Sequence, residues 1–150
     1  MTHAIHITLL SLLIGCTQMT PTPRAAPSEA ARPLPSHSEA QVNELFTEAS
    51  QLADQVKTGT LSRTEAAEKL NSYRLQRIGH NPTDDRVFAI YHTLAIERDA
   101  GRITQHDAQT QMEQTLRHSA QRWAQQRKRS AEPIFTNFLM KLYRLPLLGH

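Results

Sequence analysis

The sequence predicts an all-α chain: two repeated helical hairpins forming a small bundle, followed by a C-terminal amphipathic helix. Three observations predict it. From Ser38 onward apolar residues recur at the 3.6-residue period of a helix, not in the alternation of a strand. The first three periodic runs stop at a glycine, and the chain restarts each time at a Ser, Thr or Asn suited to capping. The pattern also matches itself at an offset of 42 residues, as when Phe46 answers to Phe88.

The first helix carries Val42, Leu45, Phe46, Ala49, Leu52, Ala53 and Val56 on one stripe, with Glu44, Glu48, Asp54 and Lys57 off it. Ser38 with Gln41 makes a capping box at its start, and Gly59 supplies a left-handed stop. Ser62 with Glu65 opens the second helix, whose apolar side is Ala66, Leu70 and Tyr73 and whose stop lies near Gly79. In "HNPTDD" Asn81 caps the third helix. Pro82 takes the first helical position, where its missing N–H costs nothing, and the acids suit the positive end of the helix dipole. Val87, Phe88, Tyr91, Leu94 and Ala95 line that helix as far as Gly101. Thr104 and Asp107 open the fourth, with Ala108, Met112, Leu116, Ala120 and Trp123 along one side.

At the offset of 42, Leu52 pairs with Leu94, Ala53 with Ala95, Gly59 with Gly101, Leu61 with Ile103, Ser62 with Thr104, Glu65 with Asp107, Ala66 with Ala108 and Leu70 with Met112. Each unit, 38–79 and 80–130, reads as helix, glycine turn, aliphatic residue, cap, helix. Such a hairpin cannot bury its own stripe and needs a neighbour; two of them make a four-helix bundle. The segment "LAIERDAGRITQHDAQTQMEQTL" resembles the SHOCT type of short helical hairpin, and "LADQVKTGTLSRTEAAEKL" resembles it more loosely. The resemblance implies a role in oligomerisation or attachment.

Ahead of this body, Ala4 to Gly15 is an uncharged run rich in Ile and Leu, about 12 residues long and far short of the roughly 20 that span a bilayer. Its length and position suit the apolar segment of a secretory signal peptide, residues 1–15; the other reading is a packed apolar helix with a free thiol. The run ends at the chain's only cysteine, and Leu13-Ile14-Gly15-Cys16 resembles the lipobox of bacterial lipoproteins. That resemblance implies cleavage between Gly15 and Cys16, a diacylglyceryl group on the Cys16 thiol and a further acyl chain on the freed amine. Two or more chains give a stable anchor where one gives only a marginal hold. Thr17 after the cysteine, by the same resemblance, favours the outer membrane, with the body facing the periplasm. "MTHAIH" departs from the pattern in lacking Lys and Arg. Residues 16–37 then form a tether: five of the eight prolines fall between Thr17 and Ser36, a composition that buries too little apolar area to fold.

The net charge of +3 hides an asymmetry. Ser38 to Leu116 holds 8 Lys or Arg against 12 Asp or Glu, and Arg117 to His150 holds 7 against 1. In residues 131–150, Ile134, Phe135, Phe138, Leu139, Leu142 and Tyr143 share a helical side, with Lys141 and Arg144 away from it. Two readings stand: the helix packs across the bundle, or it lies on anionic lipid with Arg127, Lys128, Arg129, Phe135, Phe138, Leu139, Leu142 and Tyr143 as the membrane contacts. Nucleic acid is the poorest option as a partner and is not expected, because Arg127-Lys128-Arg129 is a short basic run and Trp123 is needed for packing.

The sequence carries no recognisable catalytic or metal site. The sequence has no HExxH, no His pair at i, i+4 spacing, no GxSxG and no phosphate loop. His80 and His106 sit at helix starts, His92 and His118 on helix surfaces or boundaries. Asp84 and Asp85 answer to the helix dipole and lack the separation of a glycosidase pair. No metal, cofactor or enzymatic activity is expected. The expectation is a lipid-anchored envelope module that works by contact with a protein partner or with itself.

Overall fold

The computed structural model describes residues 36–126 and 131–149, and it is helical throughout these, with α1 His37–Lys57, α2 Arg63–Arg77, α3 Pro82–Asp99, α4 Gln105–Gln125 and α5 Ile134–Leu142. No strand occurs among the described residues.

Local chemistry sets most of the boundaries. Ser62 and Glu65 close a reciprocal capping box on α2, and Thr104 and Asp107 do the same on α4. Asn81 accepts the Thr83 and Asp84 N–H groups above Pro82, as expected of the α3 start. The α1 cap differs from expectation. It is Ser36 with Glu39, not Ser38 with Gln41, so the helical body begins two residues earlier than the sequence suggested. Both pairs have the right spacing, and the one with the ionised acceptor at the positive helix end prevails.

The turns after α1 and α3 share three backbone hydrogen bonds at the offset of 42, and the first adds one from Leu61 N–H to Gln55. Thr58 N–H donates to Asp54, Gly59 to Val56 and Thr60 to Gln55; Ala100 donates to Ile96, Gly101 to Arg98 and Arg102 to Glu97. Gly59 and Gly101 stand at φ +73° and +67°, a region open to glycine and strained for most residues.

The helices pack in chain order, α1 on α2, α2 on α3 and α3 on α4, while α5 lies against α1, α3 and α4. Val42, Leu45, Leu52, Leu70, Val87, Leu94, Met112, Leu116 and Trp123 bury their side chains in one core. The buried face of α2 is Ala67, Leu70 and Arg74, so it includes an arginine that periodicity did not flag. Arg74 is 2% exposed. Its guanidinium donates to Asp85 at 2.7 Å and to Asn71 at 2.9 Å, and lies 5.7 Å from the ring centres of both Phe88 and Phe135.

Two carboxylates of α3 cap other helices across space. Asp99 accepts the Arg63 and Thr64 N–H groups at the start of α2. Asp84, fully buried, accepts the Phe135 N–H at 3.1 Å, the Thr136 N–H at 2.8 Å and the Thr136 hydroxyl at 2.8 Å. The second set replaces a local cap, since Pro133 before α5 has no side chain able to provide one. Burial drives the Asp84 carboxyl above its usual range, against the pull of these donors and of Arg74.

Burial also opposes ionisation of Asp99, but the donors of Thr64 and Arg63 outweigh it and hold this carboxyl below its usual range. A depressed folded pKa adds stability that is present above the unfolded value, about 3.9, and lost as pH falls through the folded one. We therefore expect Asp99→Asn to lose less melting temperature than the parent between about pH 6 and pH 3. Superimposable acid limbs in the two thermal-unfolding series would contradict this.

The C-terminal segment departs most from expectation. The helix has nine residues, and Ile134 through Met140 are all buried, Thr136 and Asn137 included, so its burial is nearly all-round rather than one-sided. Phe135, Phe138 and Leu139 were candidates for membrane contact; they are core residues, 0%, 3% and 1% exposed. Phe135 packs on Phe88 at 5.7 Å and Tyr91 at 6.0 Å, and Phe138 meets Phe46 edge-on at 4.8 Å. After α5 the chain turns at Arg144, φ +56°, and folds back, with Asn137 both donating to the Leu148 carbonyl and accepting its N–H. The bundle needs this helix because the stripes of α1, α3 and α4 otherwise leave their shared trough uncovered.

Candidate binding groove

The nine residues of α5 cover only part of that trough. Beyond Tyr143 a cavity of about 600 Å³ remains between the C-terminal half of α1 and the N-terminal half of α4, with α2 and α3 behind it. That volume falls in the range of small-molecule sites, roughly 300–1,000 Å³.

Its wall comes from matching places in the two sequence units. Leu52 and Leu94, Ala53 and Ala95, Ala66 and Ala108, Leu70 and Met112 all line it, each pair 42 residues apart. Alanine at these positions keeps the walls low, so an occupant can approach the helix backbones closely. At two places an apolar residue of the first unit answers to a polar one of the second: Ala49 to Tyr91, and Val56 to Arg98. Both differences bring polar chemistry into a mostly apolar surface, and both lie on α3.

Arg98 is half-buried, and its contact with the Gln105 side chain is long, at 3.4 Å. Among the described residues no carboxylate is in ion-pair contact with it, because the neighbouring Asp99 is engaged by Arg63 and Thr64. Burial, and then the charge of Arg63, lower its pKa, while Asp99, Tyr91 and Tyr143 favour the cation. It nevertheless stays protonated, as guanidinium does throughout the physiological range. Burial raises the phenols of Tyr91 and Tyr143, the latter also through Tyr91 and Glu113. They are therefore neutral hydroxyls able to donate. Lys57 and Arg63 add cations to the groove lining, paired with Asp54 and Asp99 respectively, and no Asp or Glu lines it.

Of the residues singled out in the sequence, Tyr143 joins this groove. Leu142 is 56% exposed and lies outside its lining. Gly15, Cys16, Arg127, Lys128 and Arg129 lie outside the described residues. The histidines do not converge: His92 stacks on Phe88, His80 contacts Asp85, and among the described residues no group of three His, Cys, Asp or Glu is placed to hold a metal ion. Among the same residues no helix is long and apolar enough to cross a membrane. Sequence reasoning missed Arg98 and Tyr91 as site residues. The available signal was their departure from the apolar character of Val56 and Ala49.

The chain matches no protein-family model, no curated protein and no solved structure.

Proposed function

We propose that this chain is a lipid-anchored module of the bacterial envelope, held to the outer membrane through Cys16 and facing the periplasm, whose helical body works by binding at the groove. The groove is the observation that carries this reading. Its polar groups are the guanidiniums of Arg98 and Arg63, the Lys57 ammonium, the amides of Gln105 and Gln109 and two neutral phenols, a set that can hold and orient a ligand but supplies no nucleophile paired with a base. A binding role therefore fits it better than catalysis.

The anchoring half of the proposal rests on the uncharged run Ala4–Gly15, its end at the only cysteine, and the proline-rich stretch that follows. Correspondence of the two glycine turns supports a duplicated hairpin as the origin of the body, and the SHOCT-like segment fits a role in attachment to a protein partner or to a second copy. The rival reading, in which α5 lies on lipid, must first extract seven buried residues from the core. That burial favours the bundle.

Feeding the native host an alkyne-bearing palmitate tests the anchor. The chain is expected to take up the label and fractionate with membranes, and Cys16→Ala to lose both properties. An intact mass retaining Met1 with an unmodified Cys16 would contradict the proposal.

A further inference from the structure

We propose that the groove binds a long-chain carboxylate, with the head on Arg98 beside the hydroxyls of Tyr91 and Tyr143 and the alkyl chain along the alanine-lined walls. This names the ligand class of the groove described above and rests on that groove being the binding surface, not on the lipid at Cys16.

Charge complementarity selects the head. The groove holds one half-buried cation that no carboxylate of the described chain pairs with, and Arg63 beside it adds to the positive potential. A single anion placed there is doubly rewarded: it gains a charge-assisted hydrogen bond and relieves the repulsion between the two arginines. Tyr91 and Tyr143 line the same groove and offer two further donors. One charge is what the site lacks, and a carboxylate brings one.

Shape selects the tail. Behind Arg98 the lining is aliphatic, with Leu52, Ala95, Ala108 and Met112 contributing from three helices. The α1 wall runs from Ala49 to Lys57, about 12 Å at 1.5 Å per residue, and Tyr143 bounds the groove beside α5. A wall of that length accepts a flexible chain. The groove's 17 lining residues are fewer than the roughly 20–30 that each partner gives to a standard protein interface. A peptide helix is thus the less suited occupant.

The test is calorimetric titration of the full chain carrying Cys16→Ser with dodecanoate, below its micelle concentration. We expect saturable one-to-one binding, weakened about tenfold or more by Arg98→Gln, the loss of one charge-assisted contact. Dodecyltrimethylammonium, with the same tail and opposite head, should bind weakly by a similar factor. Ala53→Trp, at an exposed position on the groove wall, should block the tail and leave the melting temperature unchanged. Arg102→Gln serves as control, since its partner is Glu97 and it is outside the lining. Absence of saturable binding by the folded chain, or affinity indifferent to Arg98 and to head charge, would overturn the proposal. Failure of the Cys16 labelling experiment would leave this titration's outcome unaffected, so the two can be judged apart.

Discussion

Replacing Asp84 by alanine is expected to destabilise the bundle by about 3 kcal/mol, although the residue lies 51 positions before the first group it binds. Two backbone N–H groups and one hydroxyl at the start of α5 lose their acceptor in a place water does not reach. An unsatisfied buried donor costs about 1–3 kcal/mol, and the alanine recovers part of the loss by removing a carboxylate that was itself expensive to bury. Asp84→Asn should fall between, because its amide oxygen still accepts from Thr136 while its NH₂ faces the Phe135 donor. Urea unfolding of the three chains measures this ordering. A loss below about 1 kcal/mol for the alanine variant would show that α5 is positioned by other means.

Phe135→Ala is expected to cost more, about 3–5 kcal/mol. The ring is fully buried and meets Phe88, Tyr91 and Phe138, with the Arg74 guanidinium 5.7 Å from its centre. Its removal opens a cavity where the apolar sides of α3 and α5 meet and takes away one of the two aromatic faces that shelter a buried cation. Leu142→Ala, at the last residue of the same helix but 56% exposed, should change stability by less than about 0.5 kcal/mol. The contrast separates a helix packed as core from one that waits for a membrane, since in the second case neither substitution would alter unfolding in solution. Equal small effects would contradict the packing described above.

What was legible in the sequence was local. A cap at Ser62, Asn81 or Thr104 involves a side chain and an N–H no more than three residues apart, and a glycine stop needs only its own backbone freedom, so both leave signatures that spacing reveals. The α1 start went astray because Ser36 and Ser38 both satisfy the pattern, and only the ionised side chain of Glu39 separates them. The position of α5 was not legible. Its cap comes from Asp84, 52 residues from Thr136, and its apolar stripe suits a lipid surface and a protein trough equally well. The groove was less accessible still, because it is a space left between four helices, and a cavity has no periodicity. Only the exchange of Ala49 for Tyr91 and of Val56 for Arg98 across the repeat hinted at it.

Hydrogen–deuterium exchange of the amides from Asn137 to Tyr143, with and without anionic vesicles, decides whether α5 is the core element which closes one half of the trough and leaves the other as a binding groove. These amides are expected to exchange as slowly as those in the middle of α2 and α3, and vesicles to leave them unchanged. Fast exchange in solution, with protection appearing only when vesicles are added, would place the helix on lipid and contradict it.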